Sequence, residues 1–188
     1  MKRVFVFVAI LGCAAFFLIL VGCEELFEEE GETSGAALVD LVNDYRADHG
    51  LPRIPKSPAL MTTAKAHVRD LVDHDPVHGD CNLHSWSEKG DWTKCCYTDD
   101  HANAACMHSK PAEIAGYPGE GYEIAASSSA GIDAEGALDQ WKGSSGHDAV
   151  IRNKDTWADN DWQAIGAAIK DEYAVVWFGE EPDPDLED

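Results

Sequence analysis

Four cysteines, Cys81, Cys95, Cys96 and Cys106, fall inside residues 76–118, a stretch with neither the 3.6-residue period of a helix nor the two-residue period of a strand. So long an irregular segment inside a compact domain needs fastening, and this restricts the fold more than any other feature. Two disulfides would supply the fastening. Four cysteines allow three pairings. The one that joins the neighbours Cys95 and Cys96 is strained, which leaves Cys81 with Cys95 or Cys96, and the other of that pair with Cys106. The competing use is a zinc knot completed by His84, His101 or His108. Against it, the spacing has no paired Cys-x-x-Cys pattern.

Disulfides belong to oxidising compartments, and the start of the chain agrees. "MKRVFVFVAILGCAAFFLILVGC" has basic Lys2 and Arg3 and then an apolar run through Val21, the pattern of an export signal. The run also approaches the roughly 20 apolar residues of a membrane span. Its ending separates the two: Leu20-Val21-Gly22-Cys23 resembles the bacterial lipobox, in which the cysteine becomes the lipidated N-terminus of the mature protein. The expectation is a lipoprotein signal over 1–22 with lipid on Cys23, and the alternative is an uncleaved anchor helix. Both place the domain outside the cytoplasm, at the cell envelope, held to a membrane. "EELFEEEGETS" continues as an acidic, self-repelling tether over 23–34. The folded domain is expected over 35–180, followed by a frayed acidic tail over 181–188.

A chain of 188 residues with 45% hydrophobic content suits one domain with a real core. Its formal charge of −21 comes from 35 Asp and Glu against 14 Lys and Arg. A surface of that sign repels phosphate backbones, so nucleic acid is excluded as a partner, while cations and basic partners are favoured.

Outside the cysteine-rich segment the periodicities are clear. Leu38, Leu41, Val42 and Tyr45 form the stripe of an amphipathic helix, ended by Gly50 and Pro52. Ser57 and Pro58 are the N-cap and first residue of a second helix, with Leu60, Ala64, His67 and Leu71 on one face. His67 thus lies on the buried stripe, as a core histidine bonded to a backbone carbonyl rather than a ligand. Trp86 and Trp92 are expected to pack under the cysteine-rich loop. "GYEIAASS" is a short strand and "DAEGALDQW" a third helix. "DWQAIGAAI" and "YAVVWFG" form an antiparallel hairpin, with Gly166 at a close-packing or bulge position. Helices followed by a small antiparallel sheet make an α+β domain.

Six pieces in this order resemble the CAP superfamily of cysteine-rich secretory, antigen-5 and pathogenesis-related proteins, with their bacterial SCP-like relatives. They are "LVNDYRADHGLPRI", "LMTTAKAHVRDL", "NLHSW", "GYEIAA", "WKGSSGHDAVI" and the closing "IGAAI" and "YAVVWFG". The resemblance implies an α-β-α sandwich with a small antiparallel sheet between helical layers. It also implies a cleft in which His84, Glu123 and His147 meet, with the two histidines as ligands of zinc or a similar divalent metal. The family's fuller site has a second glutamate three residues after the tryptophan, where this chain has Ser144, and the asparagine of its Gly-Glu-Asn motif is Ile124. The four small residues 143–146 let the chain turn sharply before His147, at a helix start that favours the neutral imidazole.

Three functions fit these residues. One is an envelope-anchored binding module, with the membrane as partner through Cys23 and a metal, small hydrophobic ligand or protein in the cleft. The second is a metal-dependent hydrolase with Glu123 as base. The third is a structural or adhesive envelope lipoprotein. No Gly-x-Ser-x-Gly motif or Ser/His/Asp arrangement offers another nucleophile.

Overall fold

The computed structural model describes residues 34–186. The export signal, Cys23 and nearly all of the acidic tether lie outside the described residues. Among those described, no helix is long and apolar enough to cross a membrane.

The described residues begin with α1 over 34–48, and Gly50 at φ 76° ends it. The polar residues of α1 secure the segment that follows. Asn43 donates to the Ile54 carbonyl at 3.0 Å and accepts from its N–H at 2.7 Å. Buried Arg46 donates to the carbonyls of Pro52 at 3.1 Å and Ile151 at 2.6 Å. Next comes α2 (Pro58–His74), capped by Ser57, whose hydroxyl accepts from the Leu60 N–H at 3.0 Å. The cysteine-rich segment contains α3 (Ala104–His108) and α4 (Lys110–Ala115), so it is less irregular than its sequence predicts. Then follow β1 (Gly121–Ser127), α5 (Ala134–Lys142), α6 (Ser145–Ile151), a 3-10 turn, β2 (Ala164–Lys170) and β3 (Tyr173–Gly179).

The sheet is antiparallel in the order β1-β3-β2, so β1 and β2 are its edge strands among the described residues. Strand alternation sorts the core into two layers. Ile124, Ile165, Val176 and Phe178 face one way, with Leu38 and Val42 of α1, Trp141 of α5 and Ile151 of α6. Ala125, Ala164, Val175 and Trp177 face the other, with Leu60, Ala64, Val68 and Leu71 of α2 and Trp86 of the loop. This is the expected α-β-α sandwich.

Gly166 is a close-packing position and not a bulge, since it pairs in register with Trp177. A Cβ there would stand 2.2 Å from the Leu60 carbonyl carbon and 2.3 Å from the Met61 nitrogen, both backbone atoms of α2. Only a shift of the helix could relieve that contact. Gly166→Ala is therefore expected to destabilise the fold by about 3 kcal/mol, read as a lower urea midpoint. An unchanged midpoint would mean that α2 is not seated this closely on the sheet.

The acidic C-terminal segment departs from the expected frayed tail. Asp183 is buried, accepting from the Ser57 hydroxyl and from the Ala59 N–H at 2.9 Å. The Glu181 N–H donates to the Tyr117 hydroxyl at 3.1 Å. A carboxylate at the N-terminus of α2 takes up free N–H groups and complements the helix dipole. A tail so acidic is thereby held on the domain.

Candidate functional site

Two disulfides, Cys81–Cys96 and Cys95–Cys106, fasten the loop that carries the first site histidine. The thiols are consumed, so the zinc-knot alternative has no thiolate ligands. Between the bridges, Trp86 and Cys95 exchange backbone hydrogen bonds at 2.7 and 3.1 Å. Asn82 accepts from the His84 N–H at 3.1 Å, and the Ser85 hydroxyl accepts from the Tyr97 N–H at 3.0 Å. Lys110, almost wholly buried, donates to the Thr93 carbonyl and to Glu113 at 2.5 Å. His84 thus sits on a short, cross-braced turn with its ring edge-on to Tyr97, centroids 5.2 Å apart.

Glu123 comes from β1. Its alternation with Ile124 turns it toward the α2 layer, beneath that turn. Its side chain is fully buried, and each carboxylate oxygen is engaged by an imidazole. Oε1 lies 2.5 Å from Nδ1 of His67, and Oε2 lies 2.8 Å from Nδ1 of His84. Burial pushes the pKa of Glu123 up, but the charge and hydrogen bond of His67, with those of His84, outweigh it and hold the group below the usual carboxylate range. Glu123 is therefore an anion, and Nδ1 of His84 donates to it. That fixes the tautomer of a neutral His84 ring, leaving the lone pair on Nε2.

His67 is the residue that the sequence undervalued. It is the core histidine expected from its place on the α2 stripe, and its Nε2 meets the Ser85 carbonyl at 3.0 Å. Its second bond, to Glu123, makes it part of the site. A buried imidazole needs two partners; the helical stripe signalled the need without naming the carboxylate. The ring also stacks on Trp86, with centroids 4.1 Å apart and planes at 9°. Trp86 is buried as expected, and Trp92 lies against it edge-on at 5.1 Å.

His147 is the third residue of α6, on a helix whose N-cap Ser144 makes no side-chain hydrogen bond. It is half-buried. Burial first, and then the charge of nearby His84, lower its pKa and favour the neutral ring. His108 of α3 behaves similarly: burial lowers its pKa, Glu120 opposes this, and His84 lowers it further. His84 thus lies close enough to act on both rings, and His108 packs against Tyr122 of β1 with ring centroids 4.9 Å apart. His108 comes from a segment without periodicity, where sequence gives no facing. Among the described residues, no three His, Cys, Asp or Glu side chains are grouped so as to hold a metal ion. Glu123, with both oxygens occupied, positions His84 and is not placed as a ligand. The donor set does not fit a closed four-ligand metal site.

No curated protein is similar enough to this chain to count as a match. Solved structures share its fold. An extracellular protein containing an SCP domain from Bacillus anthracis aligns with a TM-score of 0.57 and 18% identity, over 80% of this chain and 41% of that one. An outer surface protein of Borrelia burgdorferi gives 0.52 and 17%, over 78% of this chain and 91% of that one. A cysteine-rich secretory protein of Staphylococcus aureus gives 0.52 and 13%, over 81% and 40%. This chain therefore spans less than half of the Bacillus and Staphylococcus proteins. The family model described as CAP, the cysteine-rich secretory protein family, matches residues 39–178; with the sandwich around Glu123 and its histidines, this chain belongs to the CAP family.

Proposed function

We propose that this chain is an extracytoplasmic binding module, anchored at the cell envelope through lipid on Cys23, whose cleft takes a divalent cation on His84 and His147. The observation that carries the reading is the bond from His84 Nδ1 to Glu123 at 2.8 Å. A carboxylate behind an imidazole raises its basicity and aims its other nitrogen outward, as in many metal sites. The neutral bias of His147 leaves a second lone pair available at ordinary pH. An ion bound there would supply a Lewis-acidic anchor for a partner or ligand. Export is supported by the leader, by the disulfides, and by the extracellular and outer-surface descriptions of two structural relatives. A binding role is favoured over hydrolysis because the Glu123 side chain is fully buried and each of its oxygens already accepts from an imidazole.

Calorimetric titration of the purified protein with zinc tests the cleft. Wild type should bind one ion with modest affinity, since this reading gives it only two protein ligands. His84→Ala and His147→Ala should each abolish the specific event while leaving the circular dichroism spectrum unchanged. Protons compete for imidazole, so binding should weaken by roughly tenfold one pH unit below the reference histidine pKa of about 6.5. Because the pKa of His147 is lowered, its own share of that loss should come at still lower pH. Undiminished binding in both variants would assign the ion to the acidic surface instead. Cys23→Ser should separately abolish incorporation of labelled lipid; a wild-type protein that keeps Met1 and carries no lipid would establish the anchor helix.

A further inference from the structure

We propose a second binding site, for a small organic cation of the quaternary ammonium class, on the aromatic corner formed by Tyr122, Trp157 and Trp162 at one end of the sheet. Strand register builds it. Gly121 of β1 and Ala164 of β2 both stand opposite Gly179 of β3. Glu120, Glu180 and the Asp161-Trp162 pair therefore leave the sheet at the same end, and the Asp161 N–H donates to Glu180 at 3.4 Å across it. Tyr122, one pair further in, stands opposite Phe178. Trp162 is buried and packs on three rings, with centroids 5.4 Å from Tyr122, 5.8 Å from Trp157 and 5.4 Å from Phe178. Tyr122 and Trp157, the last residue of the 3-10 turn, stay partly exposed. Their planes meet at 79° with centroids 5.4 Å apart. Two ring surfaces thus reach water at a corner, backed by a third ring.

The charge at this corner selects the occupant. Burial raises the pKa of Tyr122, and the charges of Glu180 and Glu120 raise it further, with Glu120 also accepting from its hydroxyl. Both charges are negative, and both glutamates are exposed. His108, against Tyr122 at 4.9 Å, has its pKa lowered by burial, with Glu120 opposing. At neutral pH it adds a ring and no charge. The segment 154–162, which carries both tryptophans, has Asp155, Asp159 and Asp161 against Lys154. Aromatic faces are themselves negative, so a cation is attracted by the rings and the carboxylates together. Hard metal ions take oxygen ligands, which the rings do not offer. A primary ammonium is strongly hydrated. A quaternary ammonium has no N–H to keep in water, and its methyl groups bury against the rings while its charge faces the glutamates. Occupants from this protein have the wrong sign: residues 24–32 hold six Glu and no basic residue, and a second copy brings a formal charge of −21.

The test is NMR of the purified protein with choline at constant ionic strength, read on the choline methyl protons and on the indole N–H groups. Protons held over ring faces are shielded, so the methyl resonance should move saturably to higher field, and the Trp157 indole should shift with it. The Trp92 indole, in the opposite layer of the core, should stay still. Dimethylbutanol, the neutral carbon isostere of choline, should bind at least tenfold more weakly. Trp157→Leu keeps apolar bulk without a ring face, and should weaken choline binding at least tenfold with the circular dichroism spectrum unchanged. Glu120→Gln with Glu180→Gln, both at exposed positions, should weaken choline at least threefold and leave the isostere unaffected. His84→Ala should leave the response intact, which separates this site from the metal cleft. Equal affinity for choline and its isostere, an unmoved methyl resonance, or binding that survives Trp157→Leu or is indifferent to both glutamine changes would overturn the proposal.

Discussion

Glu123→Ala is expected to lower the stability of the fold by about 3–5 kcal/mol, the usual consequence of removing one partner from a buried charged pair. Two imidazole nitrogens would lose their acceptor at once, that of His67 in the closed core and that of His84 beneath the loop. In a domain of this size the change corresponds to a fall in Tm of roughly 6–20 °C. Glu123→Gln keeps the shape but offers one carbonyl oxygen and one NH2 where two acceptors stood, so it should fall between wild type and alanine. A loss below about 1 kcal/mol for alanine would show that water serves the histidines as well as the carboxylate does. The same network sets the acid limit. Glu123 has a pKa below that of the unfolded chain, so its contribution is complete above about pH 4.5 and disappears as pH falls through the native value. His108 and His147 also have lowered pKa values. For them the unfolded chain binds protons first, so stability begins to drop below about pH 6.5. Denaturant midpoints measured from neutral pH to about pH 3 should decline in two steps, and removing Glu123 should erase most of the lower one.

What sequence revealed of this molecule follows from how local each determinant is. Ser57 and Pro58 announce the start of α2 because capping and a fixed φ act within one turn. The alternation of Ala174, Val176 and Phe178 with Val175 and Trp177 is a property of one strand facing two layers. Gly166 stood out because a missing Cβ in an apolar strand implies a close neighbour, though only the fold names Leu60. The disulfides were legible as a choice between two pairings, and the backbone decides for Cys81–Cys96. Helices α3 and α4 were invisible for the opposite reason. They have five and six residues and no side-chain cap, too short to display a period and held by Lys110 and the Cys95–Cys106 bridge. Asp183 docks on α2 from over a hundred residues away, a contact that its acidic neighbours disguise as a solvated tail. In the site, the motif resemblance singled out Glu123 and His84. The third member of that contact, His67, was legible only as a buried ring, because which carboxylate it would meet depends on how β1 lies against α2.

Reduction of the two disulfides is expected to remove about 3 kcal/mol each, since the closed loops span 15 and 11 residues and the entropic gain varies only with the logarithm of loop length. The two bridges should not be equivalent in what they release. Cys81–Cys96 joins the start of the His84 turn to the residue beside Tyr97, whose N–H and carbonyl hold Ser85 and Asn82. Its loss frees the turn that places His84 over Glu123. Cys95–Cys106 joins the small Trp86–Cys95 bridge to α3, so its loss frees the helix that carries His108. Cys81→Ser with Cys96→Ser should therefore abolish the zinc binding proposed for the His84 cleft at temperatures where the sheet and α2 remain folded. Cys95→Ser with Cys106→Ser should lower Tm by a similar amount, roughly 6–12 °C, while keeping most of the zinc affinity. Hydrogen exchange should separate the two, with the Tyr97 amide unprotected in the first variant and the Ser109 amide in the second. Equal loss of zinc binding in both variants would mean that the loop opens as one unit, and that the bridge nearest His84 has no separate hold on it.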